Sequence, residues 1–135
     1  MVVMDCSAAV NIALDNEKGN GLLMLLQPNE EIIAPTFFRI ELRNSFWKYI
    51  VHGEMDELTA QERMTYAESL ITKFVHTEDY MTEVFSQAVK FQHPVYDMLY
   101  LCMTRRNGAT LFTLDQKLMQ ICREAKVNCT ELVDF

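Results

Sequence analysis

The sequence predicts one α/β domain in which a mostly parallel sheet of four to five strands is covered by helices on both faces. Short apolar runs and longer helical segments alternate at both ends of the chain, with short connections between them. The 135 residues suffice for one domain but not for two good cores, and half of them are hydrophobic. This alternation is typical of parallel sheets with a helix layer on each side.

The first half of the chain contains two predicted strands and three predicted helical segments. Each strand is a short apolar run, and turn residues at Lys18 to Gly21 and Gln27 to Asn29 separate the segments. The long third helix has Pro35 at its start and Gly53 just past its end. In order, the predicted elements are strand Val2–Met4, helix Ser7–Leu14, helix Leu22–Leu26, strand Glu31–Ala34 and helix Pro35–His52.

The second half begins with two predicted helices, Thr59 to Val75 and Glu78 to Phe91, which resemble a hairpin inserted between the two strand–helix halves. Thr59 and Glu62 have the spacing of a capping box at the start of the first helix. Gly108 is a good residue to end the helix that follows. The remaining predicted elements are helix Pro94–Asn107, strand Ala109–Thr113, helix Asp115–Ala125 and strand Val127–Val133.

The composition argues against several classes of protein. Nineteen acidic against 12 basic residues give a net charge of −7, which disfavours non-specific nucleic-acid binding through a broad basic face. No apolar stretch approaches the roughly 18–20 residues that span a bilayer, and the N-terminus lacks the basic segment of a signal peptide. The cysteines and histidines lack zinc-ligand spacing. We therefore expect a cytoplasmic protein with reduced thiols at Cys6, Cys102, Cys122 and Cys129, and with His52, His76 and His93 at the surface or at helix ends.

Two acids follow predicted strands, at the sheet edge where open parallel sheets form their sites. Asp5 comes directly after the first strand, and Asp115 comes two residues after Thr113, the end of another strand. Ligands of such sheets bind in the crevice beyond the carboxyl ends of the strands. Each Asp could instead cap the helix that begins after it.

Two further acids lie on predicted helices. Glu41 stands in a polar stripe between two apolar flanks of its helix, whereas Arg39 and Arg43 lie on the opposite side. Because a buried, unpaired carboxylate is costly, Glu41 needs a cation or a partner. Pairing within the helix, with Arg39, Arg43 or Lys48, is the alternative, although the spacing is poor. Asp97 stands in the first turn of a buried helix, where the helix dipole favours an acid.

This ordered set of acids on an α/β layout resembles the PIN-domain family of metal-dependent ribonucleases, and most of all its VapC-type toxins. The matching segments are VVMDCS, FRIELRNSFW, YDMLYL and GATLFTLDQKL, and the resemblance covers essentially the whole chain, residues 1–135. It implies a PIN-like three-layer fold and an endoribonuclease whose products end in 5′-phosphate and 3′-hydroxyl. It also implies an RNA substrate, an antitoxin protein as partner, and a homodimer.

Phosphodiester cleavage needs an activated water and stabilisation of the leaving oxygen, which two divalent cations about 3.5–4 Å apart can supply. Carboxylate ligands suit Mg²⁺ or Mn²⁺. In this hypothesis Glu41 positions or polarises the attacking water, or completes a second metal site, and Thr113 orients an acid or a water. The catalytic and metal-binding residues are Asp5, Glu41, Asp97 and Asp115, with Thr113 catalytic and with Ser7 and Asn44 as weaker supporting candidates.

RNA must approach this acidic site, so positive charge is needed at its edges. The candidates are Lys48, Lys117, Arg105 and Arg106, although the two arginines also suit a helix C-terminus. The alternative function is a catalytically silent PIN-like module whose apolar helices bind a protein partner. A phosphatase with an aspartyl nucleophile is disfavoured, because Ser7 stands where a second Asp would follow Asp5.

Overall fold

Within residues 1–131, which the computed structural model describes, four parallel strands form one sheet. The strands are β1 (Val2–Met4), β2 (Ile32–Pro35), β3 (Lys73–Val75) and β4 (Thr110–Phe112), in the order β3-β2-β1-β4. Val2 pairs with Ile32 on one side and with Thr110 on the other, so β1 is central and fully buried. Buried apolar runs are typical of such strands.

Seven α-helices lie in the described part of the chain, and the sheet separates them into two layers. They are α1 (Cys6–Ala13), α2 (Glu17–Leu25), α3 (Phe38–Val51), α4 (Glu57–Ser69), α5 (Met81–Phe91), α6 (Val95–Arg106) and α7 (Gln116–Ala125). Val2 and Met4 point into a core shared with α1 to α4, whereas Val3 points into a core shared with α5 to α7. The predicted three-layer α/β arrangement is therefore confirmed. Within residues 1–131, no helix has both the length and the apolar character needed to cross a membrane.

The glycine-containing segment from Lys18 to Gly21 lies inside α2, so the predicted break there is wrong. Asn16 caps this helix, and its Oδ1 accepts from the Gly19 amide at 2.8 Å. A Cβ built on Gly19 would lie 2.0 Å from the carbonyl oxygen of Asn11 in α1. Glycine is needed at this position because α1 and α2 approach so closely, not because the chain turns.

The predicted helical hairpin over residues 59–91 contains the edge strand β3. Its first helix begins at Glu57 and is capped by Asp56, which accepts from the Thr59 amide at 2.7 Å, so the predicted capping box is wrong. Asp caps a helix at least as well as Thr. β3 has three residues and an exposed Lys73, and both features are common in edge strands. A strand of three residues is too short to show a periodic pattern in the sequence.

A predicted last strand from Val127 to Val133 is present in the described residues only as a single bridge between Cys129 and Leu111. The Leu111 amide donates to the Asn128 carbonyl and the Thr130 amide donates to the Leu111 carbonyl, both at 2.9 Å. This segment therefore runs alongside β4, and Val133 lies outside the described residues.

The strand order places a topological switch point between β1 and β4. From β1 the chain proceeds to β2 and β3 on one side of the sheet, then crosses to β4 on the other side. In open parallel sheets, sites form beyond the carboxyl ends of the strands at such a point. The residues that follow β1 and β4 are therefore the first place to look for function.

Candidate active site

Asp5 follows β1 and is buried, with 5% of its surface exposed. Its amide donates to the Phe112 carbonyl at 3.0 Å, which extends the pairing of β1 with β4. Its side chain caps α1: Oδ1 accepts from the Ala8 amide at 3.0 Å and from the Ser7 hydroxyl at 2.7 Å. The cap that sequence reasoning offered as an alternative is thus present, and it coexists with a position at the switch point.

Thr113, which directly follows β4, links Asp5 to Asp115. Its buried hydroxyl donates to Oδ2 of Asp5 and accepts from the Asp115 amide at 3.1 Å. Asp115 caps α7, because its Oδ1 accepts from the Leu118 amide at 3.0 Å. The Ser7 hydroxyl accepts from the Leu114 amide at 3.0 Å. We call Asp5, Ser7, Thr113 and Asp115 the strand-end network.

Glu41 lies in the first turn of α3, and its partner comes from another helix. The hydroxyl of Tyr100, on α6, donates to Glu41 Oε1 at 2.5 Å, and Tyr100 is only 1% exposed. Two of the three intrahelical partners considered from the sequence are engaged elsewhere: Arg43 pairs with Glu68 at 2.6 Å and Arg39 lies over the Phe74 ring. The third, Lys48, forms no ion pair with Glu41. Sequence reasoning missed Tyr100 because it stands in an almost wholly apolar run, where a core position is the usual interpretation.

Asp97 lies in the first turn of α6 and pairs with His93. The His93 Nε2 atom lies 2.6 Å from Asp97 Oδ2, and the histidine is buried with 8% exposure. His93 lies between the end of α5 and the start of α6, which is one of the two locations predicted for it, but it is buried and not at the surface. Its Nδ1 atom is buried without a hydrogen-bond partner among residues 1–131. The four-residue spacing of His93 and Asp97 was the available signal for this pair.

All four acids stand at helix N-termini, where the helix dipole favours negative charge. Burial nevertheless raises the pKa of Asp5 from 3.8 to about 6, against the lowering effect of its hydrogen bonds and with a smaller raising contribution from the charge of Asp97. Burial also raises the pKa of Glu41 from 4.5 to about 7, again against its hydrogen bond, with added repulsion from Asp5 and Asp97. Asp5, Glu41 and Asp97 therefore lie within electrostatic reach of one another.

A cavity of about 550 Å³ opens beside two of these acids. Glu41 and Asp97 line it together with Asn44 and the aromatic rings of Phe37 and Tyr96. A smaller cavity of about 310 Å³ is lined by Ser7 and, from α3, by residues that include Ser45, Lys48, Tyr49 and His52. Glu41 and Asp97 therefore border open space on the side of α3 and α6.

The donor set fits a hard divalent cation. Carboxylates that raise one another's pKa are stabilised by bound positive charge, and carboxylate oxygens are the ligands that Mg²⁺ and Mn²⁺ prefer. Glu41 Oε2 and Asp97 Oδ1 accept no hydrogen bond from the described residues, whereas both oxygens of Asp5 do. In the side-chain arrangement of residues 1–131, no three His, Cys, Asp or Glu side chains surround a single point at metal-binding distance.

The four predicted cationic candidates differ in their surroundings. Arg105 and Arg106 both pair with Glu83 of α5, at 2.5 and 2.6 Å. They stand in the last turn of α6, the helix C-terminus that was the alternative explanation for them. Lys48 lines the smaller cavity beside Ser7. Neither Lys48 nor Lys117 forms an ion pair within the described part of the chain.

No protein-family sequence model matches this chain, and no curated protein sequence matches it either. Solved structures do match. PAE2754 from Pyrobaculum aerophilum aligns with a TM-score of 0.72 and 22% identity, over 89% of this chain and 78% of that one. VapC20 from Mycobacterium tuberculosis, a sarcin-ricin loop cleaving toxin, aligns with a TM-score of 0.63 and 12% identity, over 89% of this chain and 94% of that one. The chain therefore has a PIN-domain, VapC-like fold, as its resemblance to that family predicted.

Proposed function

We propose that this protein is a divalent-metal-dependent endoribonuclease that acts as the toxin of a toxin–antitoxin pair. The observation that carries the proposal is the placement of Asp5, Glu41 and Asp97 within electrostatic reach of one another beyond the β1–β4 switch point. Burial is the main cause that raises the pKa of Asp5 and Glu41, and the charges of the neighbouring acids add to it. An RNA substrate is supported by the fold shared with VapC20, a sarcin-ricin loop cleaving toxin. Mg²⁺ or Mn²⁺ is supported by the carboxylate donor set.

In this proposal Asp5, Asp97 and Asp115 hold the cation, directly or through water. Activation of the attacking water and stabilisation of the leaving oxygen are the chemistry that the cation would supply when bound. Glu41, with a pKa of about 7, is suited to accept a proton from water near neutral pH. The Tyr100 hydroxyl holds one Glu41 oxygen, which leaves the other as an acceptor. Thr113 orients Asp5 through its donated hydrogen bond.

The test is cleavage of an end-labelled single-stranded RNA by the purified protein with Mn²⁺, with Mg²⁺ or with EDTA. We expect metal-dependent products with 5′-phosphate and 3′-hydroxyl ends. Asp97→Asn should lower the rate by about 1,000-fold, the size expected for loss of a principal electrostatic group. Asp79→Asn is the matched control, because Asp79 is exposed and lies on a short 3₁₀ helix outside the site.

Failure of the folded wild-type chain to bind Mn²⁺ in calorimetry and to cleave RNA would contradict the proposal. That result would favour the alternative, a catalytically silent PIN-like interaction module. The toxin assignment additionally predicts a cytoplasmic homodimer and a small antitoxin protein, encoded beside this chain, that suppresses cleavage when it binds. Co-expression with that neighbour, followed by purification and the same RNA assay, tests the pairing.

A further inference from the structure

An aromatic pair stands beside the candidate active site. Tyr96 immediately precedes Asp97 in the first turn of α6, and Phe37 immediately precedes α3. Their rings are stacked, with centroids 5.3 Å apart and planes 15° apart. Phe37 is partly buried against the core shared with α5 to α7, whereas 57% of Tyr96 is exposed. The lower ring is therefore anchored in the protein, and the upper ring is presented to the surroundings.

This pair lines the same cavity as the helix acids. Both rings border the cavity of about 550 Å³ that Glu41 and Asp97 also line. That volume falls in the range of about 300–1,000 Å³ typical of sites for small organic ligands. A ligand seated against Tyr96 would therefore have its neighbouring groups next to two of the proposed catalytic carboxylates.

We propose that Tyr96, supported from below by Phe37, is a stacking platform for an unpaired RNA base adjacent to the phosphodiester that is cut. The inference rests on the proposed function and specifies its substrate: RNA whose base is free to leave a stack, as in a single strand or a loop. Unstacked bases are recognised by stacking on aromatic side chains, and every base has a face that can stack.

The charge distribution favours stacking as a source of affinity at this cavity. The chain has a net charge of −7, and two of its four candidate cations, Arg105 and Arg106, pair with Glu83. The described residues that line the cavity include no Lys or Arg. The side chains that line this cavity therefore supply no cationic contact to phosphate, whereas a face of Tyr96 can supply a stacking contact to a base of any sequence.

The first experiment pairs Tyr96→Ala with RNA that lacks one base. After the cleavage position has been mapped, oligoribonucleotides with a single abasic residue at each flanking position are compared with the intact RNA. For wild type we expect one abasic position to lower kcat/KM by about 5- to 150-fold, the range for loss of one base–aromatic stack. Tyr96→Ala should lose a similar factor on intact RNA, mainly through KM, and should no longer discriminate against the abasic RNA.

Two controls separate the ring from the rest of the side chain and from the fold. Tyr96→Phe keeps the ring and should retain the wild-type preference for intact RNA. Tyr66→Ala removes an exposed tyrosine of α4, on the other side of the sheet, and should also retain it.

A binding measurement gives a readout that needs no cleavage. The chain has a single tryptophan, so Tyr96→Trp combined with Trp47→Phe places the sole indole on the platform. In EDTA, intact single-stranded RNA should quench its emission, and RNA with the critical abasic residue should quench it less.

Three results would overturn the inference, and each differs from failure of the proposed function. One is an active Tyr96→Ala protein that discriminates against abasic RNA as well as wild type does. The second is equal quenching by intact and abasic RNA. The third is a Tyr96→Ala protein that changes from dimer to monomer in light scattering while its base preference is unchanged, which would make this face a self-association surface. Absence of cleavage by wild type, by contrast, would count against the nuclease itself.

Discussion

The strand-end network and the two helix carboxylates, Glu41 and Asp97, show two ways of holding acids at one edge of a sheet. Asp5 is buried, and both of its side-chain oxygens accept hydrogen bonds: Oδ1 from Ser7 and Ala8, and Oδ2 from Thr113. Glu41 and Asp97 are only partly buried, and each has one side-chain partner among the described residues, Tyr100 or His93. The first group is held by short connections along adjacent strands, and the second by contacts between helices.

This difference indicates that the two groups of acids have different roles in the proposed site. Hydrogen bonds on both oxygens fix the orientation of Asp5, so it is suited to define one position for a cation. Glu41 and Asp97 each retain one oxygen without a donor in residues 1–131 and border a cavity, so they are suited to meet water and substrate. Substitutions in the two groups should therefore differ in their effects on cleavage and on stability.

Asp5→Asn should lower cleavage by about 1,000-fold, as much as Asp97→Asn, but unlike Asp97→Asn it should also raise stability. Ionising Asp5 at pH 8 costs the folded state up to about 3 kcal/mol, because its pKa is raised to about 6. Asn removes that charge and still caps a helix well. Urea unfolding at pH 8 should show Asp5→Asn more stable than wild type, with Asp97→Asn nearly unchanged. Equal stability changes in both variants would contradict the argument that the deeper burial of Asp5 makes its ionisation more costly than that of Asp97.

Metal and pH should act on stability together. The folded-state pKa values of Asp5 and Glu41, about 6 and 7, lie above their ordinary values. Their stabilising contribution is therefore complete below about pH 4 and is lost as pH rises through 6 to 7. In EDTA the Tm should fall over this window. Mn²⁺ at 100 times its Kd should restore about 2.7 kcal/mol at pH 8 and much less at pH 5, where protons compete for the carboxylates.

Differential scanning calorimetry at pH 5, 6, 7 and 8, with EDTA or with Mn²⁺, measures both effects. The double variant Asp5→Asn, Glu41→Gln is the control, and its Tm should vary less with pH and respond little to Mn²⁺. An increase in Tm caused by Mn²⁺ that is the same at every pH would show that these carboxylates do not bind the ion.

Tyr100→Phe should have a moderate effect on cleavage, because it removes the hydrogen bond to Glu41 and leaves the partners of Asp5 unchanged. A hydrogen bond to a charged group contributes about 1.5–3 kcal/mol, so its loss should raise the pKa of Glu41 by roughly one unit or more. The acidic limb of the profile of kcat/KM against pH should therefore move to higher pH, and the rate at pH 7 should fall about tenfold. Tyr80→Phe is the matched control, since its hydroxyl contacts Asn107 outside the site. An unmoved acidic limb would assign that limb to another group.

Lys48→Ala should have the smallest effect. Lys48 lines the cavity beside Ser7, on the strand-end side of the site, and is exposed. If it contacts a phosphate, its removal should weaken RNA binding a few-fold and reduce the slope of log K against log salt by about one. Lys18→Ala, an exposed lysine on α2, should leave the slope unchanged. An unchanged slope in Lys48→Ala would place the RNA backbone elsewhere.

Local sequence patterns predicted the parts of this molecule that depend on near neighbours. These patterns predicted the buried runs of β1, β2 and β4 and the long helix that contains Glu41. They also placed Asp5 and Thr113 at the carboxyl ends of strands. Some errors were also local, since Asn16 and Asp56 proved to be the caps. The error at Gly19 was not, because glycine is needed inside α2 where α1 lies against it. Its role could not be known before the partner helix was placed.

The sequence by itself determined the fold class and the set of acids from which a site could be built. Tertiary structure alone decided which groups those acids meet: Tyr100 beside Glu41, a buried His93 beside Asp97, and Tyr96 stacked on Phe37 at the same cavity. The physical reason is the range of the interactions. Helix and strand patterns arise from residues a few positions apart, whereas Glu41 and Tyr100 are 59 positions apart and meet only when two helices pack beside one sheet.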